Sequence, residues 1–218
     1  MRKIIFSLIV SIFLILPAFC VEYMPKYTDN IKNFGIGIYF GDGDLVVHQE
    51  PNENSSVLAN IFWDTEKVVV NKQVYEPKRV FAVFSPKNAL SGFIATDEQG
   101  EEYTKIIYDT VNNKEGWIKN SPDNKAFYWR QLFYKYGKTR GLYMFANTSN
   151  EDKILKVAPE DTAPTSYEFI HPKYIRLQLI KGNWALIKVV DYDNEQKVGW
   201  FRWRTIDGKL KLFPAFTE

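Results

Sequence analysis

The feature that most constrains the fold is a repeated alternation of strand-forming and turn-forming residues. From about residue 35 onward, short runs of Val, Ile, Tyr, Phe and Trp are separated by clusters of Gly, Asn, Asp and Pro. β-Branched and aromatic residues favour strands, and turn clusters at such short intervals leave little room for long helices. The pattern therefore predicts an all-β protein. The predicted strands are residues 45–49, 68–70, 80–84, 103–108, 116–119, 142–145, 154–157, 175–180, 184–190 and 199–204.

One segment, residues 121–137, has the pattern of a helix instead. Ser121 is a suitable cap, Pro122 suits the first turn, and Gly137 suits the exit. Four large side chains recur between them at i, i+3, i+4 and i+7 and form one stripe: Trp129, Leu132, Phe133 and Tyr136. We expect this amphipathic helix to be a connector packed between two β modules, and the alternative is a partner-binding helix.

The segments on either side of this helix are similar to each other. Residues 46–51 (VVHQEP) open the first and residues 154–159 (ILKVAP) open the second, and each closes with a polar turn and a Gly-Trp pair, at 116–117 and 199–200. This similarity predicts two modules, residues 35–120 and 140–214, with an insertion of the first module at about residues 64–102.

The second segment resembles the bacterial SH3 family. The resemblance rests on residues 182–189 (GNWALIKV), the acidic turn after them and residues 199–201 (GWF). In the first segment only the ends match. It has no tryptophan at the position that corresponds to Trp184, and the nearest aromatic residue, Tyr103, lies two places after that position. The resemblance implies two small SH3-like β-barrels joined by one amphipathic connector helix. It also implies that aromatic grooves of the modules bind peptide or cell-wall glycopeptide.

Strand parity selects the candidate groove residues, because alternate side chains of a strand point to opposite faces. Ala185, Ile187 and Val189 are all apolar and suit the interior, which turns Trp184 to the outer face. The same argument places Phe201 and Trp203 inside and Trp200, Arg202 and Arg204 outside. The predicted ligand-binding residues are Trp184, Trp200, Arg202, Tyr192 of the acidic turn, and Trp117 of the first module.

The N-terminus has the parts of a secretory signal peptide, residues 1–20. Arg2 and Lys3 precede an apolar run over residues 4–16, which is shorter than the roughly twenty residues of a spanning helix. We expect cleavage after Cys20 and export to the periplasm or the medium, with no membrane span retained. Phe19 occupies the position where lipid attachment at Cys20 would require a small residue.

Cleavage would remove the chain's single cysteine and two of its 28 basic residues, leaving 26 basic and 26 acidic residues. A neutral chain has no overall field to attract nucleic acid, so no nucleic-acid partner is expected. The two histidines, His48 and His171, lack metal-ligand spacing, and no metal or other cofactor is expected.

These observations predict a non-catalytic exported protein whose partner is a peptide, a peptidoglycan fragment or an envelope protein. Two alternatives stay open: a structural or assembly subunit of the envelope with buried aromatics, and a small hydrolase with paired carboxylates at the module junction. The sequence does not define an oligomeric state.

Overall fold

The computed structural model describes residues 31, 33–41, 44–63, 68–76, 79, 92–95, 102–122 and 124–216. The expected signal peptide, its cleavage site and the predicted strand 80–84 lie outside these residues. The described chain is mostly β, as predicted, and every predicted strand within it overlaps an observed one. The strands are β1 Gly37–Phe40, β2 Asp44–His48, β3 Val57–Trp63, β4 Val68–Val70, β5 Gln73–Tyr75, β6 Gly92–Ala95, β7 Tyr103–Asp109, β8 Lys114–Lys119, β9 Lys125–Tyr128, β10 Leu142–Met144, β11 Ile154–Lys156, β12 Thr165–Glu168, β13 Tyr174–Lys181, β14 Trp184–Val190, β15 Gln196–Arg202 and β16 Leu212–Pro214.

The strands form two antiparallel sheets that share one strand order. The first sheet runs β5-β4-β3-β2-β8-β7-β6-β1-β9, and the second runs β12-β11-β15-β14-β13-β10-β16. If β1 is matched with β10 and the chain is followed in order, each of the seven strands of the second sheet has a counterpart at the same place in the first. Only β4 and β5, which extend the first sheet at one end, have no counterpart.

The strand registers agree with this match. β2 has an irregularity in its pairing with β3 between Val47 and His48, and β11 has one in its pairing with β12 between Leu155 and Lys156. His48 lies opposite Trp117, and Lys156 lies opposite Trp200. The Gly-Trp pairs are thus equivalent positions of the two sheets. In this register Tyr103 lies directly at the position of Trp184, and not two places away, because Tyr103 pairs with Lys119 as Trp184 pairs with Arg202.

Neither sheet closes into a barrel among the described residues. The end strands β5 and β9 of the first sheet do not pair with each other, and neither do β12 and β16 of the second. The architecture shown is therefore two open antiparallel sheets with one short helix between them in the chain.

The connector helix begins eight residues later than predicted. It comprises α1, Trp129–Leu132, and a π-helical turn, Phe133–Gly137, which ends where predicted. The amide of Asn124 donates to the Ser121 hydroxyl at 3.0 Å, so the expected cap closes a turn instead of starting a helix. The chain then forms β9, which pairs with β1 over Lys125–Tyr128, and this long-range pairing outweighs the local helix signal. No helix in the described part of the chain is long and apolar enough to cross a membrane.

The helix is the centre of a core that both sheets share. Its four stripe residues, Trp129, Leu132, Phe133 and Tyr136, are all buried. The Trp129 indole donates to the backbone oxygen of Phe34 at 2.7 Å, and its ring lies 5.6 Å from that of Phe213 in β16. The Phe133 ring lies 4.6 Å from that of Trp203. A second core lies within the first sheet alone, and the helix has no part in it.

Candidate functional site

Three of the five predicted ligand-binding residues lie on one face of the second sheet. Trp184 on β14 lies directly opposite Arg202 on β15, and Trp200 lies two residues from Arg202 on the same strand. Cross-strand partners and alternate residues share a face, so these three side chains belong together. The predicted interior residues Ala185, Ile187, Val189, Phe201 and Trp203 are all buried, which confirms the strand parity. We call the opposite surface of β13, β14 and β15 the outer face.

Trp184 is on the outer face but is covered. Its exposed fraction is 8%, because the guanidinium of Arg202 lies 4.6 Å from the ring centroid. Arg202 also forms an ion pair with Asp161, a residue of the β11–β12 turn. A recess of about 90 Å³ adjoins this group. Trp184 therefore serves as a support for Arg202, and Trp200 on β15 is a partly exposed aromatic ring of this face.

The register extends the outer face beyond the predicted residues. One row across the sheet runs through Leu179, Leu186, Trp200 and Lys156. The row on one side contains Lys181, Trp184 and Arg202, and the row on the other contains Arg176, Lys188 and Val198. An apolar ridge is thus flanked by rows that carry cations.

The charge of the outer face is positive. Its cations are Arg176, Lys181, Lys188 and Arg202, with Lys156 of β11 beside them, and none of their cross-strand partners on β13, β14 and β15 is acidic. Two carboxylates, Asp161 and the Lys211-paired Asp152, line the recess next to Arg202. Asp161 neutralises Arg202. The Lys156 ammonium donates to two backbone oxygens, of Asp161 at 2.9 Å and of Ala163 at 2.7 Å, and these neutral groups leave its charge in place. The net charge of the chain hides this local field.

The sequence prediction missed the contribution of β13. The pairing of β13 with β14 shifts register between Leu177 and Leu179, so that Leu177 faces the core while Leu179, two residues later, faces outward. Simple alternation would place both inside. The two basic residues Arg176 and Lys181 indicated that β13 contributes charge to the surface. Only the strand register assigns them to the face of Trp200.

Trp117, the predicted site residue of the first sheet, lies at the position equivalent to Trp200, but its surroundings differ. The nearby cations are paired with carboxylates: Lys105 with Glu115 at 2.6 Å, and Lys119 with Glu53. The hydrogen bond to Lys119 is the main cause that lowers the pKa of Glu53.

The ion pair of Lys119 with Glu53 has an equivalent in the second sheet, the pair of Arg202 with Asp161. Glu53 follows Pro51 by two residues, as Asp161 follows Pro159. The further described cation beside Trp117, Lys105, is paired with Glu115, whereas Arg176 and Lys188 of the second sheet lie opposite each other.

Tyr192, the fifth predicted residue, lies apart from the outer face. Its side chain is 74% exposed and lines a cavity of about 450 Å³ formed by β10, the start of β13 and the β14–β15 turn. The lining of this cavity shares no residue with the recess beside Trp184.

The described residues contain no cluster of three or more His, Cys, Asp or Glu that could hold a metal ion. His48 is buried on β2, with Nδ1 3.4 Å from the backbone oxygen of Ser55, while His171 is exposed and lines the cavity of Tyr192. The two histidines thus have unrelated surroundings, one in a strand and one in a surface loop.

Comparison of the chain with models of known protein families, with curated proteins and with solved structures finds no match. The site must therefore be interpreted from its own geometry.

Proposed function

We propose that the protein is an exported, non-catalytic binding protein that recognises a peptide or cell-wall glycopeptide through the outer face of its second sheet. The ligand carries carboxylates, which meet the cations of this face, and an apolar or sugar surface, which stacks on Trp200. Lysine and arginine bind carboxylates through charge-assisted hydrogen bonds, and a tryptophan ring provides a large contact area.

The observation that carries this proposal is the contrast between two equivalent faces. Ile94 and Ile107 of the first sheet pair with each other and belong to the core shared with the connector helix. Arg176 and Lys188 pair with each other at the equivalent place in the second sheet. A position that is buried in one sheet is thus cationic and accessible in the other, as expected of a surface kept free for an anionic ligand.

The resemblance to SH3-like barrels supports the same region of the chain, since it assigns groove aromatics to the positions of Trp184 and Trp200. The proposal does not require a closed barrel, because the face is formed by three adjacent paired strands. With Arg202 over Trp184, recognition would depend on Trp200 and the cations beside it.

A structural role in an envelope assembly is the second candidate. The observation that favours it is the burial of Trp129, Trp184 and Trp203, whose rings are not available to a ligand. In that case the outer face would bind another protein and not a wall fragment.

The test is binding of the mature protein to purified peptidoglycan and to synthetic stem peptides with free carboxylates. Trp200→Ala should weaken binding about tenfold or more, since truncation of a central interface tryptophan commonly costs more than 1.4 kcal/mol. Arg176→Glu with Lys188→Glu should weaken it further, and binding by the unchanged protein should decrease with added salt.

The matched control is Trp117→Ala, which removes the equivalent ring from the charge-balanced first sheet and should leave binding unchanged. Equal losses from the two tryptophan variants would contradict the proposal. Absence of binding to every wall fragment, combined with capture of one envelope protein that Trp200→Ala abolishes, would favour the structural role.

A further inference from the structure

The cavity beside Tyr192 is a concave surface next to the outer face, and the two meet where the guanidinium of Arg176 lies 5.8 Å from the ring centroid of Tyr174. Its volume of about 450 Å³ lies within the range of about 300–1,000 Å³ that small-molecule sites occupy. It is lined by residues of β10, of the loop that precedes β13 and of the β14–β15 turn. None of the rows of the outer face contributes a residue to it.

The wall of the cavity is apolar and aromatic. Three tyrosines, Tyr143, Tyr174 and Tyr192, line it together with Met144 and Ile170. Tyr192 is 74% exposed and Ile170 is 61% exposed, although both are large side chains that burial would stabilise. Exposed apolar side chains that converge on one concave surface are typical of a ligand site.

The turn that carries Tyr192 is held in place by hydrogen bonds. The Tyr167 hydroxyl donates to the Asp191 carboxylate, and this bond is the main cause that raises the pKa of Tyr167 to about 12. The amide of Asn194 donates to the backbone oxygen of Asp191 at 3.0 Å. The Lys173 ammonium donates to the side-chain oxygen of Asn194, also at 3.0 Å. The backbone that carries Tyr192 is thus fixed by the fold, which lowers the entropy cost of binding at this position.

The charged groups that line the cavity are all basic. Lys153 and Lys173 line it with His171, and among the described lining residues there is no Asp or Glu. The Lys153 ammonium donates to the side-chain oxygen of Asn150 at 2.9 Å, a neutral acceptor like that of Lys173. The carboxylate of Asp152, next to Lys153, is paired with Lys211. Two lysines therefore line an apolar cavity that has no Asp or Glu among its described lining residues.

We propose that this cavity binds an organic anion that joins an aromatic or apolar body to one anionic group. The body packs between Tyr192, Tyr174 and Met144, and the anionic group lies between the ammonium groups of Lys153 and Lys173. The site has lining residues that differ from those of the outer-face rows, and it goes beyond the function proposed for that face.

The experiment is an NMR titration of the mature protein, labelled with ¹⁵N, using three small probes. N-acetyl-phenylalanine supplies a carboxylate, phenyl phosphate supplies a phosphate, and N-acetyl-phenylalaninamide is the neutral control matched to the first. We expect saturable shifts at the amides of residues 143–145, 171–175 and 192 with an anionic probe, and binding of the amide at least fivefold weaker. The two anions distinguish a carboxylate ligand from a phosphate ligand.

Variants define the site further. Tyr192→Ala should abolish the saturable shifts, and it should fold normally because the ring is mostly exposed. Lys153→Gln with Lys173→Gln should remove the preference for the anion over the amide. Ile206→Ala, which removes an 86% exposed side chain outside the cavity lining, is the control and should bind as the unchanged protein does.

Trp200→Ala should also leave the titration unchanged, so failure of this proposal and failure of the proposed function are distinguishable. Equal affinity for the amide and both anions would overturn the inference, as would the absence of saturable shifts at the cavity with all three probes.

Discussion

Phe133→Ala tests whether the connector helix holds the two sheets in one cooperative structure. The ring is 0% exposed, lies 4.6 Å from that of Trp203, and belongs to the core that contains residues of both sheets. Truncation of a fully buried phenylalanine removes its contacts and leaves a cavity, at a cost of about 3 to 5 kcal/mol. For a protein of this size each kcal/mol corresponds to about 2–4 °C, so the melting temperature should fall by about 6–20 °C.

The assay is urea and thermal unfolding of the chain from Val21 onward, followed by tryptophan fluorescence and by far-ultraviolet circular dichroism. The two signals should change together, because the shared core couples the sheets. Lys135→Ala, an exposed position on the same helix whose ammonium lies 5.1 Å from the ring centroid of Tyr136, is the control and should lower the free energy of unfolding by at most about 1 kcal/mol. A loss below about 1 kcal/mol for Phe133→Ala, or two separate transitions in the unchanged protein, would refute the reasoning.

Three further predictions concern an ion pair, two glycines and the N-terminus. Burial raises the pKa of Asp109, but hydrogen bonds from Asn112 and Arg79 outweigh burial and hold this pKa below its usual value. The stabilisation of the fold by Asp109 is therefore present above the unfolded-state pKa and is lost as pH falls through the folded-state pKa. Urea unfolding across the acid range should show a weaker pH dependence of stability for Asp109→Asn than for the unchanged protein. Gly37→Ala should lower the melting temperature far more than Gly182→Ala. A Cβ at Gly37 would overlap the backbone oxygen of Phe127, whereas a Cβ at Gly182 would meet open space. The cost at Gly182 is limited to the strain of its positive φ, +55°. Intact-mass measurement of the exported protein should give Val21 as its first residue, and a retained Cys20 with added acyl mass would contradict this.

The fold class could be predicted because strand propensity and turn chemistry are local properties. The inward faces of β14 and β15 were predictable for the same reason, since apolar alternation needs no knowledge of the partner strand. β9 could not be predicted, because its pairing with β1 joins residues about ninety positions apart, while Ser121 and Pro122 supply a helix signal that is local and strong. Long-range pairing decided the outcome.

The candidate site was predictable only in part, because some of its contacts join residues that are far apart in the sequence. Parity correctly placed Trp184 on the outer face, but its exposure depends on Arg202, whose position depends in turn on Asp161 of a different turn. The cations of β13 join the site through an irregularity at Leu177 and Leu179 that has no glycine or proline to mark it in the sequence.

The equivalence of the two sheets also limits what can cover the outer face. At the place where Ile94 and Ile107 are buried in the shared core, the second sheet has Arg176 and Lys188. An apolar element that covered these cations would remove them from water with only neutral partners, the Gln196 side chain for Lys188 and the Tyr174 ring for Arg176, and burial of a charge without a counter-charge is strongly unfavourable. A covering group must therefore bring negative charge of its own. Since Trp200 and Leu186 form an apolar ridge between the cations, that group must also present a flat or apolar surface. A second copy of the helix or of the Ile94–Ile107 surface does not meet these two requirements, whereas the proposed ligand, which combines carboxylates with a sugar or apolar face, meets both.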